Sequence, residues 1–319
     1  KTNVTDLQFK ALAGVASLRR LYICSHSLSD ANLREVGRMK SLRELSLNFS
    51  KVTDTGLSAL ANLHNLRALY VGHAELSDAG LAPIQSLCRL ETLSLHETQI
   101  TGAGLKKLIG LKSLRTLNLA MTNVTVDGLR ELARHSSLRA LDVQLTKVSD
   151  EGIRELVKLS SLEDLQIRNT WVTDKGMSQL SAFTHLRSLD ISNNDRITNA
   201  ALAKAGQIET LRSLSISSTK ITDEGLTMLG KLKALEVLEI WGTAVTDVGV
   251  QKVARLSSLK SLNLGGTKIE GQNIAMLANL KSLHTLDISW TNLKPSAFKQ
   301  LGKLKGLRTL SLFDTQVTD

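Results

Sequence analysis

The stretch that decides the fold is Leu42–Asn65, LRELSLNFSKVTDTGLSALANLHN. Its first part alternates, so that Leu45 and Leu47 share one side while Ser46 takes the other. This alternation predicts a short, half-buried strand. In the second part apolar side chains recur every third residue, which predicts a short helix with one buried side. The leucines of that helix are Leu57, Leu60 and Leu63.

The same unit recurs thirteen times, and each copy can be placed by the leucine that opens its Leu-x-x-Leu-x-Leu core. These anchoring leucines are Leu18, Leu42, Leu66, Leu90, Leu114, Leu138, Leu162, Leu186, Leu211, Leu235, Leu259, Leu283 and Leu307. The step between them is 24 residues, except for 25 between Leu186 and Leu211. A fixed period of this length is typical of a solenoid, whose units stack because one repeat cannot bury its own apolar side.

One strand and one helix in every repeat predict an α/β solenoid built on a parallel sheet. Neighbouring strands lie about 4.8 Å apart, whereas packed helices need about 10 Å. The stack must therefore bend with the strands inside. The predicted architecture is a horseshoe of about 13 repeats of 24 residues, with the parallel sheet on the concave face and short helices on the convex face.

Between strand and helix stands Thr53-Asp54, a pair of residue types that recurs along the chain. A hydroxyl and a carboxylate at this place can accept hydrogen bonds from the unpaired amides of a helix start, and the negative charge suits the helix dipole. We therefore interpret these carboxylates as helix caps and not as catalytic groups. The glycine two residues later, Gly56 in this repeat, is expected to allow close packing.

The unit Leu-x-x-Leu-x-Leu-x-x-Thr-x-Val/Ile-Thr-Asp-x-Gly-Leu resembles the leucine-rich repeats, and in particular the cysteine-containing subclass found in F-box proteins. The resemblance covers the whole chain, but the step is shorter than in that subclass and no F-box is present. Threonines stand where the subclass has cysteine, at Thr98, Thr122, Thr146, Thr170, Thr219, Thr243, Thr267, Thr291 and Thr315. A buried hydroxyl there is expected to bond neighbouring backbone and form a polar ladder along the stack. The resemblance implies, as one candidate function, the substrate-recognition part of an F-box-type ubiquitin ligase.

The composition indicates a core of leucine, since 42% of the 319 residues are hydrophobic and only 3% are aromatic. We expect a single leucine-rich-repeat domain over 1–319. Because both ends stop in the same phase of the repeat, we expect this domain to be a fragment of a longer protein. No apolar run approaches the length of a membrane span. Cys24 and Cys88 lie too far apart for a disulfide, which favours an intracellular protein, cytoplasmic or nuclear.

The net charge is +10, and it is distributed unevenly over the phases of the repeat. Positions two, four, six and seven after each anchor are predicted to face the concave side. They hold Glu44, Glu97, Asp142, Asp164, Asp190, Glu239, Asp287 and Asp314, against only Arg20 and Arg168. Basic residues instead follow the anchor directly, at Arg19, Arg43, Arg67, Arg115, Arg139, Arg187, Arg212, Lys260 and Arg308. Stacking would align them as a ridge, which is either a solvated part of the repeat consensus or an edge that binds nucleic acid or anionic lipid.

Aromatic side chains at the predicted concave positions form two groups. The N-terminal cluster is Tyr22, Phe49, Tyr70, His73 and His96. The C-terminal cluster is Trp241, Trp290 and Phe313, together with the acids Glu239, Asp287 and Asp314. Exposed tryptophan and tyrosine beside acids have the composition of a binding hot spot for a basic partner. We predict both clusters as partner-binding residues, although a repeat array can also display such side chains without function.

The sequence offers no catalytic, metal or cofactor site. His73, His96 and Glu97 match no metal motif, no glycine-rich phosphate loop is present, and His and Ser are scattered over the phases of the repeat. We therefore predict a non-enzymatic scaffold or adaptor that binds a basic or extended protein segment on its acidic, aromatic-bearing concave face. The F-box-type role and an anion-binding basic flank are the alternatives, with nucleic acid the less favoured partner. The oligomeric state is left open.

Overall fold

A computed structural model describes residues 6–315, which fall into two compact units, 1–162 and 163–319. Each repeat contributes one three-residue strand, and within each unit the strands pair in parallel and in chain order. The first unit holds β1 (Arg20–Tyr22), β2 (Glu44–Ser46), β3 (Ala68–Tyr70), β4 (Thr92–Ser94), β5 (Thr116–Asn118) and β6 (Ala140–Asp142). The second unit holds β7 (Asp164–Gln166), β8 (Ser188–Asp190), β9 (Ser213–Ser215), β10 (Val237–Glu239), β11 (Ser261–Asn263), β12 (Thr285–Asp287) and β13 (Thr309–Ser311).

Short helices alternate with the strands, so the predicted α/β solenoid repeat is confirmed. In the first unit they are α1 (Asp6–Ala13), α2 (Asp30–Val36), α3 (Asp54–Leu57), α4 (Leu81–Ile84), α5 (Gly102–Leu105), α6 (Val126–Leu132) and α7 (Asp150–Leu156), with 3-10 segments Ser58–Leu60, Asp78–Gly80 and Lys106–Leu108. In the second unit they are α8 (Asp174–Met177), α9 (Asn199–Ala205), α10 (Asp223–Leu226), α11 (Asp247–Val253) and α12 (Pro295–Leu301), with 3-10 segments Leu180–Ala182, Thr227–Lys231 and Ile274–Asn279. None of the helices in residues 6–315 combines the length and apolarity needed to cross a membrane.

The core consists of leucines and their aliphatic substitutes at fixed phases. The middle residue of every strand from β2 to β12 is a buried leucine. Leu57, Leu60 and Leu63 of the helical part are at most 1% exposed, as the spacing predicted. Cys24 and Cys88 are exposed free thiols. The prediction of a single domain that is part of a longer protein stays a prediction.

The Ser/Thr-Asp-x-Gly motif joins one repeat to the next. The Thr53 hydroxyl caps its own helix by accepting a hydrogen bond from the Thr55 amide at 3.3 Å. The Asp54 carboxylate instead reaches the following repeat, where it accepts hydrogen bonds from the Ser77 amide at 2.8 Å and the Ser77 hydroxyl at 2.5 Å. Gly80 makes room for it, since a Cβ on Gly80 would stand 2.4 Å from Asp54 Oδ1.

This joint corrects the expectation that the aspartates cap their own helices. The same hydrogen bonds to the next repeat's Ser/Thr are made by Asp30, Asp78, Asp174 and Asp223. In the next repeat the amide and the hydroxyl of one residue bind both oxygens of the carboxylate, and hydrogen bonds to a charged acceptor are strong. The motif therefore holds neighbouring repeats together as well as starting the helix.

The threonines in the cysteine phase do not form the expected ladder between repeats. Thr98 Oγ1 donates to the Leu95 carbonyl of its own repeat at 2.6 Å. The same bond recurs at Thr122, Thr146, Thr170, Thr219, Thr243, Thr267, Thr291 and Thr315. In the 25-residue repeat Asn194 stands at this phase, and it donates to the Ile167 carbonyl of the preceding repeat at 3.0 Å.

One core position of the first unit carries a histidine where neighbouring repeats have leucine. His135 takes the place of Leu63, Leu87, Leu111 and Leu159, and it is 3% exposed. Its Nε2 has no hydrogen-bond partner among the described residues. Burial lowers the pKa of His135, because the charged form loses its hydration. The side chain is therefore mainly neutral in the folded protein at neutral pH.

We expect His135→Leu to raise the free energy of unfolding by about 1 kcal/mol or more at neutral pH, because it removes an unsatisfied buried nitrogen. In the wild type the unfolded chain takes up a proton near pH 6.5 that the folded chain refuses. Stability is therefore lost as pH falls through that value, and the variant should lose less. Urea unfolding at pH 7.5 and 5.5 measures both effects; an equal pH dependence of the two proteins would contradict this account.

Candidate binding face

The residues two, four, six and seven positions after each anchor line one surface in each unit, which we call the strand face. The seventh position turns the chain out of the strand in a left-handed backbone conformation, with φ between 51° and 67°. Its occupants are Phe49, His73, Glu97, Met121, Leu145, Asn169, Asn193, Ser218, Gly242, Gly266, Trp290 and Asp314. Two are glycine and none is β-branched. This corner is strained for most side chains, by about 1 kcal/mol.

At this corner Leu145→Val should lower the free energy of unfolding by about 1 to 2 kcal/mol, because a β-branched side chain fits the left-handed region worst. Leu145→Asn should keep or raise it, because asparagine enters this region readily and already occupies the corner at Asn169 and Asn193. Chemical denaturation of the two variants provides the measurement. Equal losses would show that the corner does not select against β-branching.

In the first unit the structure brings three members of the N-terminal cluster into direct contact. Phe49 stacks on His73 with ring centroids 4.0 Å apart, and His73 meets His96 edge to face at 4.9 Å. His73 Nδ1 lies 2.9 Å from Glu97 Oε2, so the acid orients the imidazole. The pKa of His96 is lowered by desolvation and then by His73, with Glu97 opposing. His96 is therefore neutral at neutral pH.

The other two members, Tyr22 and Tyr70, lie on alternate strands, since Tyr22 pairs with Ser46 and Ser46 with Tyr70. Both phenols have a raised pKa, first through desolvation and then through the negative charge of Glu44. Tyr22 also shares a hydrogen bond with Glu44 and is 59% exposed. The predicted N-terminal cluster is therefore two adjoining groups: a packed Phe–His–His group and a tyrosine pair around one glutamate.

In the second unit Trp290 and Phe313 form a ring pair with centroids 5.5 Å apart, and they are 55% and 68% exposed. Trp241 stands apart from this pair and is 44% exposed. Its indole rests on the next repeat, where a Cβ on Gly265 would lie 2.8 Å from the ring and one on Gly266 3.3 Å. The indole therefore lies directly over these two consecutive glycines, which we call the glycine bed.

The acids of the C-terminal cluster lie on different parts of the strand face. Glu239 and Asp287 end alternate strands, β10 and β12, and both are half-buried. The pKa of Glu239 is raised by desolvation, opposed by a hydrogen bond with Asn263, and raised further by Asp287 and Asp190. Asp314 is exposed at the left-handed corner after β13. Asp190, which the sequence did not single out for this cluster, thus belongs to the same electrostatic group.

The basic ridge is interrupted by glutamates in the same phase. Arg67 lies 2.5 Å from Glu91, and Arg187 lies 3.6 Å from Glu163. Glu236 contacts two ridge cations, Lys260 at 2.7 Å and Arg212 at 3.0 Å, which lower its pKa. Arg67, Arg187, Arg212 and Lys260 of the ridge are thus paired, because the acidic repeats place their carboxylate beside the neighbour's cation.

The strand face offers aromatic rings and carboxylates for binding. Within residues 6–315 no group of three His, Cys, Asp or Glu side chains is placed to hold a metal ion. The sequence missed the glycine bed under Trp241 and the membership of Asp190. The signal for the first was the pair Gly265-Gly266, since no other repeat has glycine at both of these phases.

Comparisons with known proteins find leucine-rich repeats along the chain. Residues 172–318 match a family described as a leucine-rich repeat region, and residues 38–61, 110–133 and 134–157 match a family of leucine-rich repeats. An internalin (inlF) of Listeria monocytogenes is similar in structure, with a TM-score of 0.71 and 28% identity over 99% of this chain and 85% of that one. A leucine-rich-repeat protein of Leptospira interrogans has a TM-score of 0.60 and 22% identity over 97% and 87%. No curated protein matches the chain.

Proposed function

The chain is a leucine-rich-repeat protein, and from this premise we propose that it is an interaction scaffold or adaptor whose protein partner binds the strand face of the second unit. The observation that carries the proposal is the exposure of Trp241, Trp290 and Phe313, which are 44%, 55% and 68% exposed. Tryptophan is enriched among residues that dominate binding energy. Proteins of this kind are typically binding scaffolds and not enzymes, and we propose the same here.

The charge around these rings favours a basic partner. Glu239, Asp287 and Asp314 accompany the rings, while the chain as a whole carries +10. A local negative surface attracts a basic segment to this face, while the positive charge of the rest of the protein disfavours its binding elsewhere. An extended segment fits the strand face, because it can cross the parallel strands and contact several repeats in succession.

Replacing Trp241 and Trp290 by alanine is expected to weaken partner binding by about 2 kcal/mol or more for each, roughly 30-fold in Kd. Trp171→Ala is the matched control, because Trp171 is 60% exposed but lies outside the strand face positions. Quantitative pull-downs from source-cell extract compare wild type, the double variant and the control. Thermal melting tests that all three are folded.

The double variant should lose partners that the Trp171→Ala protein retains, with similar melting temperatures. If all three proteins capture the same partners, the C-terminal cluster is not the site. The Phe49–His73–His96 group with Tyr22 and Tyr70 is then the next candidate.

Two further functions remain narrower proposals. The resemblance to the F-box-associated repeats supports a substrate-recognition role in a ubiquitin ligase, which is a special case of the scaffold. Binding of nucleic acid or anionic lipid by the basic flank has less support, because its cations Arg67, Arg187, Arg212 and Lys260 are paired with glutamate. We also propose an intracellular location, supported by the free thiols of Cys24 and Cys88.

A further inference from the structure

The fourth position after the anchor forms a continuous row across the second unit. The strand register places these residues side by side in the order Gln166, Asp190, Ser215, Glu239, Asn263, Asp287, Ser311. Three acids therefore alternate with residues that carry an amide or a hydroxyl. Every member occupies the same position in its strand. The three acids therefore lie at equivalent positions of every second repeat.

This alternation sets the spacing of the negative charges. Adjacent strands lie about 4.8 Å apart, so acids on alternate strands recur about every 9.6 Å. An extended β-strand repeats its side every two residues, or about 6.7 Å, which does not match. A polyproline II helix repeats its side every three residues at about 3.1 Å each, or about 9.3 Å, which does. An α-helix approaches the spacing only at every seventh residue, about 10.5 Å.

The carboxylates are held in place with one oxygen available. The Ser192 amide donates to Asp190 Oδ1 and the Ser289 amide to Asp287 Oδ1, both at 2.8 Å. Neither Oδ2 accepts a hydrogen bond within the described part of the chain. Glu239 lies between the two, and its pKa is raised first by desolvation and then by the negative charges of Asp287 and Asp190. A cation bound between the carboxylates would relieve that repulsion.

The row of acids indicates only that the partner is basic. The indole of Trp241 adds a second condition on the chemistry of the partner. Asp190, Glu239 and Trp241 line one groove of about 270 Å³ on the strand face, together with one basic residue, Arg168. The glycine bed holds the indole at the wall of this groove with nearly half of its surface exposed. Aromatic walls of this kind receive proline rings and arginine side chains. Extended, proline-containing segments bind such grooves at little entropic cost, because their conformation is already formed.

We propose that the partner segment is a polyproline II stretch with an arginine or lysine at every third residue, lying across the strands with its cations over Asp190, Glu239 and Asp287 and its rings against Trp241. This inference rests on the proposed function and specifies the partner's chemistry. The direction of the segment follows the row of acids, perpendicular to the strands.

Three fluorescent peptides with four arginines each provide the test, measured by anisotropy at physiological salt. In the first, arginine recurs every third residue in a proline-rich chain; in the second, every second residue; in the third, every seventh residue of an alanine-rich helix. The first peptide should bind about tenfold more tightly than either of the others. Glu239→Gln should remove most of this advantage. Asp164→Asn, which removes the same charge from another phase of the strand face, should preserve it.

Equal affinity for the first two peptides would show that charge alone is read, and tighter binding of the third would show that the partner is a helix; either result overturns the inference. Failure of all three peptides to bind would do so as well. The scaffold proposal is judged separately, by whether the Trp241→Ala, Trp290→Ala double variant loses its partners in the pull-down. The two proposals can therefore fail independently.

Discussion

Replacing Gly80 by alanine is expected to lower the free energy of unfolding by about 3 kcal/mol, although the same change inside a helix ordinarily stabilises by about 1 kcal/mol. The reason is the joint between repeats. The new methyl carbon would lie 2.4 Å from Asp54 Oδ1, so the carboxylate must leave the Ser77 amide and hydroxyl. Each of those hydrogen bonds to a charged group contributes about 1.5 to 3 kcal/mol. Denaturant unfolding of the variant measures the loss.

The decisive control is the same substitution in an Asp54→Ala background. Asp54→Ala alone should also cost about 3 kcal/mol, because it removes the same two hydrogen bonds. With the carboxylate gone, the contact at 2.4 Å is removed, and Gly80→Ala should then stabilise through helix propensity. The sign of the Gly80 effect therefore reverses between the two backgrounds. Additive effects would mean that Gly80 and Asp54 do not share one joint.

The second large effect is expected in the leucine core. Leu214→Ala should cost about 2 to 5 kcal/mol, because Leu214 is fully buried and β9 is paired on both sides, through Leu189 and Leu238. Leu310→Ala, the matched change in β13, should cost about 1 kcal/mol or less, because Leu310 is 38% exposed and pairs only with Leu286 among the described residues.

Chemical denaturation of the two variants gives the comparison. Similar losses at Leu214 and Leu310 would contradict a stack whose repeats are stabilised chiefly by their immediate neighbours. A small loss at Leu214 alone would mean that its repeat relaxes around the cavity.

The sequence predicted the elements well because each repeat states the same pattern. Alternation around Leu45 and Leu47 marks the strand, and the three-residue spacing from Leu57 marks the helical part; both sets are buried as expected. The split of the helical part into α-helix and 3-10 turns was not predictable from this spacing, because both forms place every third residue on nearly the same side.

The sequence does not show which hydrogen-bond partner a polar side chain has in the neighbouring repeat. Asp54 has the residue type of a helix cap, and only the position of the next repeat shows that Ser77 offers it two better donors. For the threonines the prediction was wrong in the opposite sense: a bond to a neighbouring repeat was expected, but Thr98 donates to a carbonyl of its own repeat. Distances between repeats decide both cases, and a periodic pattern contains no such distances.

The candidate site was predictable by phase but not by contact. The sequence placed Trp290 and Phe313 on one face, and the structure pairs their rings. It also grouped Trp241 with them, but the indole lies over Gly265 and Gly266 instead. Whether these residues bind a partner stays a prediction, because side-chain exposure describes what a surface offers and not what it meets.

At the left-handed corner the displayed side chain can vary while the residues that build the scaffold stay the same. Phenylalanine, glutamate, methionine, serine and tryptophan all stand at this one position in different repeats, while the residue four positions earlier is leucine in every repeat. A lineage can therefore exchange the displayed side chain by single substitutions without rebuilding the interior. The same freedom makes the corners of either unit a natural set of sites for a combinatorial library that redirects the protein to a new target.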